Sequence, residues 1–294
     1  MRTACSGGIA GEASQLDVPD RKQTVWFSGT VTAAAAVVVA PGAITERTLR
    51  KSRHVGSVGM GRLAVMGGHS LLGSGWMHDA PVVEVETEHR PITLHDTGEV
   101  VVLQRHGLDR FTNATSLDHR AHVRAVEAAG CDRILGLASA GSLRSDLGVG
   151  TFVAPDDFIA LHLGLSFFDD ARGHQIPGFD PEWRRRIVDT WERETDVPLV
   201  DGGVYWQAIG PRFETCAEIR LIAQHADLIG MTIAAECVLA KELGIPYAGV
   251  CLVDNLANGL GEATLSVEDF AKGSLDNRAR LVRALDAVIP ELAR

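Results

Sequence analysis

A chain of 294 residues with a hydrophobic fraction of 46% can bury a sizeable core, in one large domain or two smaller ones. Its formal charge of −10, with no Lys/Arg run or basic stripe, argues against nucleic acid or an anionic membrane surface as the main partner, while leaving room for a local anion pocket. Five cysteines, an odd number without a CxxC pair, suit a reducing cytoplasm better than a disulfide framework.

Residues 1–58 carry Gly, Ser, Thr and one apolar run, Ala33 to Ala40. That run is too short to cross a bilayer, which takes ~20 apolar residues. It also follows Arg21 and Lys22, with Glu12, Asp17 and Asp20 earlier, unlike a secretory leader. The expectation is a disordered or weakly structured extension, with Met60 a candidate translational start and one domain over 60–294.

From there apolar runs alternate with helical patterns. Arg62 to Met66 reads as a strand that ends in the turn Gly67-Gly68-His69-Ser70. Val82 to Val85 and Val100 to Leu103 are further strands, the second closed by Arg105-His106-Gly107. Thr115-Ser116-Leu117-Asp118 resembles a capping box that opens a helix through Ala129, with Leu117, Ala121, Ala125 and Ala128 on one stripe. Gly130 ends that helix. Arg133 to Ser139 is a buried strand leading into Ala140-Gly141, and Thr151 to Ala154 is another. Residues 162–180 read as a long loop, Pro181 to Glu194 as a helix with Pro in its first turn, and Val204 to Ile209 as a strand. Between Gly210 and Asn255 come a Gly-Pro turn, a helix, a short strand with Gly230-Met231-Thr232, a second helix and a buried strand. Ser266 then caps a final helix to about Val288. Continuous apolar strands alternating with helices predict an α/β domain with a central mixed, largely parallel sheet covered on both faces.

The polar groups gather at strand ends, where ligands bind in open α/β sheets. Each also has an ordinary reading. Gly67-Gly68 is a usual tight turn, Arg105-His106 a surface pair, Phe213 a core residue, and Thr232 a helix N-cap. His119 and His122, three apart on a helix, suggest a metal, but no third ligand is evident and none is expected. Together, an Arg, a His, a Gly/Ala/Ser turn and a Thr at a helix start suit an anion. Composition and spacing stop at an α/β enzyme with an anion pocket.

From about Arg62 to Leu292 the chain resembles the trimeric purine nucleoside phosphorylase and methylthioadenosine phosphorylase family. The matching pieces are GGHSL at 67–71, RHG at 105–107, ASAGSL at 138–143, GPRFET at 210–215, GMT at 230–232 and AECVLAKELGIPYA at 235–248. The resemblance implies a metal-free, cytoplasmic homotrimer with inorganic phosphate as co-substrate and no cofactor. It implies a phosphate site from His69, Ser70, Arg105, His106, Ala138, Ser139 and Thr232. Met231 would lie against the ribose, Phe213 on the purine, with Ala140 and Gly141 beside it. Glu214 and Asn255 would read the base and act in catalysis. A carboxylate at Glu214 accepts from the N1–H of a 6-oxopurine but is repelled by the N1 lone pair of adenine. A carboxamide at Asn255 donates to O6 and accepts from N7–H. The choice of Asn255 over Asp254 decides the specificity.

Val267 stands where members that take a free 5′-hydroxyl tend to have His, which resembles the methylthio-specific members; His174 would approach the same end. His69 stands where the family usually has Ser or Thr, and Ser70 at a usual Gly. The expected reaction is phosphorolysis of inosine, guanosine or methylthioinosine. Methylthioadenosine phosphorolysis, a water-using nucleosidase and a weakly catalytic purine-nucleoside-binding protein remain as alternatives.

Overall fold

The computed structural model describes residues 61–107, 111–261 and 266–294, with side chains in the final helix from residue 272 onward. The expected N-terminal extension lies outside the described residues. All described residues belong to one unit, Gly56–Arg294.

In chain order the elements are β1 (Arg62–Gly67), β2 (Val82–Val85), β3 (Ile92–Asp96), β4 (Val100–Gln104), α1 (His119–Ala128), β5 (Cys131–Ser142), β6 (Phe152–Ala154) and β7 (Asp157–Ile159). Then follow α2 (Pro181–Glu194), β8 (Leu199–Asp201), β9 (Val204–Gln207), α3 (Cys216–Ile222), β10 (Leu228–Gly230), α4 (Ile233–Glu242), β11 (Tyr247–Leu256) and α5 (Val267–Ala293). The strands form one mixed sheet in the order β2-β3-β4-β1-β5-β10-β9-β7, with β11 pairing β5 and β6, and β6 pairing β8. Parallel pairings predominate, six against four among the described residues.

The central strands are buried on both faces, which is why they read as unbroken apolar runs. One face packs against α1 and α4 through residues such as Val126, Ile233 and Leu239. The other packs against α2 and α5 through Trp183, Trp191, Leu285 and Val288. Helix α4 is apolar all round and correspondingly buried, with Glu236 its fully buried polar exception. Helix α2 has the bounds its sequence announces. Asp180 caps it by accepting from the Trp183 amide at 2.8 Å, and Pro181 sits where no amide partner is needed.

The structure departs from the sequence reading in three places. Strands β3, β7 and β8 had not been expected; β7 and β8 are three residues long with none fully buried, so pairing rather than an apolar run defines them. The cap of α1 is Asp118, whose carboxylate accepts from the Ala121 amide at 3.0 Å, while Thr115 lies in a separate 3-10 turn, Ala114–Ser116. The final helix runs through Pro290 to Ala293 rather than stopping near Val288. Leu292 is fully buried there, and the Arg133 guanidinium from β5 donates to the Leu292 and Ala293 carbonyls at 3.1 and 2.9 Å, satisfying the last turn.

Candidate active site

Strand β5 and strand β11 run parallel from Ile134↔Tyr247 to Ala140↔Val253. The register then slips: Gly141 pairs with Asn255, and Asp254 is the extra residue of a β-bulge. A bulge re-aims side chains at the end of a ladder. Here it separates two neighbours. Asn255 lines a cavity of about 420 Å³, whereas Asp254, 2% exposed, bonds Ser70 and Asn277 behind it. The cavity volume falls in the range of small-molecule sites.

At one end of the cavity stand Phe213, Glu214, Gly141, Asn255 and Asn258. Asn255 donates one Nδ2–H to the Leu256 carbonyl at 2.9 Å. A carboxamide has a second N–H and two lone pairs beyond that bond. Asn258 donates to the Glu214 carbonyl at 3.0 Å and so ties the two sides of this end together. Burial pushes the Glu214 carboxyl up, its own backbone N–H pulls it back, and Glu218 and Arg212 act in opposite senses. The loop carrying Glu214 ends in a capping box: Thr215 Oγ1 accepts from the Glu218 amide at 3.2 Å, and Glu218 accepts from the Thr215 amide at 2.7 Å.

At the other end stand Gly68, His69, Arg105, His106, Ser139 and Thr232. Arg105 is held tightly. Its Nε and Nη2 donate to Glu236 at 2.6 and 2.9 Å, Nη1 to the Leu137 carbonyl at 2.6 Å, and Nη2 also to the Met66 carbonyl at 2.9 Å. Four of the five guanidinium N–H donors are thus committed to the protein. Gly68 permits this packing, since a Cβ there would lie 2.8 Å from Arg105 Nη1. Glu236 also accepts from the Tyr247 hydroxyl at 2.7 Å.

His106 donates Nδ1–H to the Thr112 carbonyl at 2.7 Å, which leaves Nε2 as an acceptor. Burial lowers its pKa to about 4, so the ring is neutral near pH 7. Phe111 stacks on it at 5.2 Å. Burial and Arg278 lower His69 as well, so the imidazole found where a hydroxyl was expected is held toward its neutral form. Thr232 occupies the N-cap position of α4 yet makes no side-chain capping bond. The Ala235 amide of that first turn is satisfied instead by Gln207 Oε1 at 3.0 Å. The Thr232 side chain is therefore not consumed by the helix it precedes, and Met231 beside it also lines the cavity.

Of the site residues expected from sequence, the cavity gathers His69, Arg105, His106, Ser139, Gly141, Phe213, Glu214, Met231, Thr232 and Asn255. It does not gather the others. Ser70, Ala138 and Ala140 are buried behind its wall, at 4%, 4% and 2% exposure. His174 lies exposed beside the 3-10 turn Ala171–Gly173. The Val267 side chain lies outside the described residues. Sequence reading missed Phe111, Asn258 and Gly68 as wall residues. Gly68 lies inside the GGHSL motif, but Phe111 and Asn258 carry no local signal. Among the described residues no cluster of three His, Cys, Asp or Glu side chains is placed to hold a metal, and no helix is long and apolar enough to cross a membrane. His119 and His122 are instead buried on α1, His119 Nδ1 3.9 Å from Glu236 and His122 Nε2 3.4 Å from Arg90.

Residues 59–290 match the family described as the phosphorylase superfamily. The chain belongs to that family. It is 33% identical to a Xylella fastidiosa protein named "Probable S-methyl-5'-thioinosine phosphorylase", over 79% of this chain and 98% of that one. It is 29% identical to an Archaeoglobus fulgidus protein named "Probable 6-oxopurine nucleoside phosphorylase", over 78% of this chain and 96% of that one. Its fold is similar to that of methylthioadenosine phosphorylase from Schistosoma mansoni in complex with adenine, with a TM-score of 0.67 at 23% identity, covering 79% of this chain and 92% of that chain.

Proposed function

We propose that this phosphorylase-superfamily chain catalyses phosphorolysis of a 6-oxopurine nucleoside, releasing the free base and ribose 1-phosphate or its 5-methylthio analogue. One observation carries the reading: the bulge at Asp254 leaves Asn255 in the same cavity as Glu214, with Arg105, His106 and Thr232 at the far end. Glu214 accepts from purine N1–H. Asn255 donates to O6 and accepts from N7–H as it forms. Phe213 covers the ring and Met231 the sugar.

Hydrogen phosphate at the far end attacks C1′. The C1′–O bond forms as the C1′–N9 bond breaks, and the bonding pair passes to the purine. The proton lost by the phosphate ester balances the proton gained by the base. The residues act by positioning and by preorganised dipoles aimed at the charge that grows on the purine. Phosphate is the co-substrate, and no resident metal or cofactor takes part. Residues 60–294 form the catalytic domain, residues 1–58 an extension to it. The chain works as a homotrimer in the cytoplasm.

The test is a panel of inosine, guanosine, adenosine, methylthioinosine and methylthioadenosine, each with and without phosphate. The 6-oxo substrates are expected to exceed their 6-amino counterparts by at least about 100-fold in kcat/KM, because a mismatched buried hydrogen-bonding site is left unpaired. Equal turnover of adenosine types, or base release without phosphate, sinks the reading. The two inosines decide the 5′ substituent, a choice supported in both directions by the names of the relatives.

A further inference from the structure

Behind the anion end lies a buried polar cluster that the proposed chemistry does not use. Ser70 Oγ is 3.2 Å from Asp254 Oδ2, and both residues are under 5% exposed. The same Oγ is 2.5 Å from Ser139 Oγ. Ser139 is half-buried and is the member of the cluster that lines the cavity. On the far side, Asn277 of α5 donates Nδ2–H to Asp254 Oδ1 at 3.2 Å and to the Val253 carbonyl at 3.3 Å. Helix α5 presses on the bulge at Gly273, where a Cβ would lie 2.0 Å from the Asp254 carbonyl oxygen. The carboxyl is thus clamped between α5 and the turn at Ser70. Burial pushes it up, while hydrogen bonds from Ser139, Asn277 and Ser70 draw it back.

A hydrogen count follows from these contacts. A carboxylate has no proton to give, so the bond to Asp254 uses the Ser70 proton. Ser139 is bonded to Asp254 as well as to Ser70, so its proton goes to the carboxylate or to the Ser70 oxygen. Each hydroxyl has one proton, and none remains for the cavity. The Ser139 hydroxyl can offer a ligand only lone pairs. His106 reaches the same condition independently, because the Thr112 carbonyl holds its Nδ1–H. The anion end therefore presents two acceptors beside the donors expected there.

We propose that Asp254 is a positioning residue that, directly and together with Ser70, makes the Ser139 hydroxyl a hydrogen-bond acceptor, so that the site selects an oxyanion carrying a proton over a proton-free oxyanion of the same shape. Hydrogen phosphate has the required O–H; sulfate does not. An oxygen with no proton meets lone pairs at Ser139, and the unpaired contact costs affinity. The P–OH held at Ser139 is turned away from the sugar, and the bare oxygens are left for C1′. The proposal rests on the phosphorolysis reading above and adds the protonation state of its co-substrate.

Sulfate tested as a competitive inhibitor against phosphate measures this selectivity. For the wild type, the ratio of the sulfate Ki to the phosphate KM is expected to be about tenfold or more above one. In Asp254→Asn the amide donates to Ser70, the Ser70 proton passes to the Ser–Ser contact, and the Ser139 proton becomes free for the cavity. Sulfate is then accepted and the ratio falls by about tenfold. Ser139→Ala removes the lone pairs at their source and lowers the ratio too; it carries the test should Asp254→Asn fail to fold by circular dichroism. A merely structural role for Asp254 weakens both anions together and leaves the ratio alone. A wild-type ratio near one, or a ratio that neither variant moves, overturns the proposal. Base release that ignores phosphate refutes the activity reading instead; the same ratio is then read by calorimetry, titrating each anion into the wild type with hypoxanthine bound. Binding of neither anion overturns both.

Discussion

The two ends of the cavity are built on opposite plans. At the base end, Asn255 spends one N–H on the Leu256 carbonyl, and its remaining donor and acceptor capacity is uncommitted to that bond. At the anion end, Arg105 has four of its donors on Glu236 and two carbonyls, His106 gives its Nδ1–H to Thr112, and the Ser139 hydroxyl is bonded to Ser70 and Asp254. On the proposed function the base end is a reading surface, and the anion end is a wall whose polar groups also hold the sheet together. Substitutions at the two ends therefore fall on different observables.

The largest effect is expected at Glu236. Arg105 and Glu236 side chains are both fully buried. Glu236→Ala leaves the guanidinium charged, buried and unpaired, which costs roughly 3–5 kcal/mol of stability. Denaturant unfolding measures it. A loss under about 1 kcal/mol, the size of a surface pair, breaks the contrast between the ends.

Asn255→Ala comes next and acts on rate. Removing a group aimed at charge that grows in the transition state costs about 10²–10³ in kcat. Stability is expected to stay close to wild type, because Asn255 contributes one hydrogen bond to its own neighbour's carbonyl. Wild-type rates for Asn255→Ala, or a melting point lowered as far as that of Glu236→Ala, erase the distinction.

Acid stability reads the anion end again. The folded pKa of His106, about 4, lies below its ordinary 6.5. Between those values the unfolded chain binds more protons than the folded one, so stability rises with pH across that window. It is whole above pH 6.5 and is lost as pH falls toward 4. His69, His119 and His122 are lowered in the same direction by burial. His106→Gln removes one contributor and is expected to flatten the limb by on the order of 3 kcal/mol at most. Urea unfolding at pH 7 and pH 4.5 compares the slopes; an unchanged slope places the acid sensitivity elsewhere.

The two plans also explain what could be read from the sequence. The buried runs β1, β4, β5 and β11 and the capped helix α2 were legible because each rests on a local pattern. Short exposed strands such as β8 were not, since only a partner strand makes them strands. At the base end, the proposed pairing of a carboxylate at Glu214 with a carboxamide at Asn255 rests on residue type, and both residues line the same cavity. At the anion end residue type misleads, because the same Arg, His and Ser can face a ligand or the protein. Ser70 was expected to supply a hydroxyl to phosphate and instead stands behind Ser139, bonded to Asp254. The family resemblance chose Asn255 over Asp254 in the sequence, but the bulge that separates them appears only in the ladder.

The smallest effect tests how firmly the reading surface is held. Glu214 sits one residue before the α3 N-cap, so the backbone leaving its carboxylate is fixed by the capping box of Thr215 and Glu218. Arg212 clamps Glu218 from the same loop at 2.7 and 2.8 Å. Asn258 holds the Glu214 carbonyl from the other wall. Thr215→Ala removes the hydroxyl that accepts from the Glu218 amide and is expected to cost about 1 kcal/mol. Thr215 is exposed, so no cavity forms. The loss therefore falls on the loop and on α3, and the KM for nucleoside rises a few-fold while the KM for phosphate stays put. Thr215→Ser keeps the oxygen and restores both. A rise in both constants together means that the two ends move as one body, and the division of labour between them is then a matter of chemistry and not of mechanics.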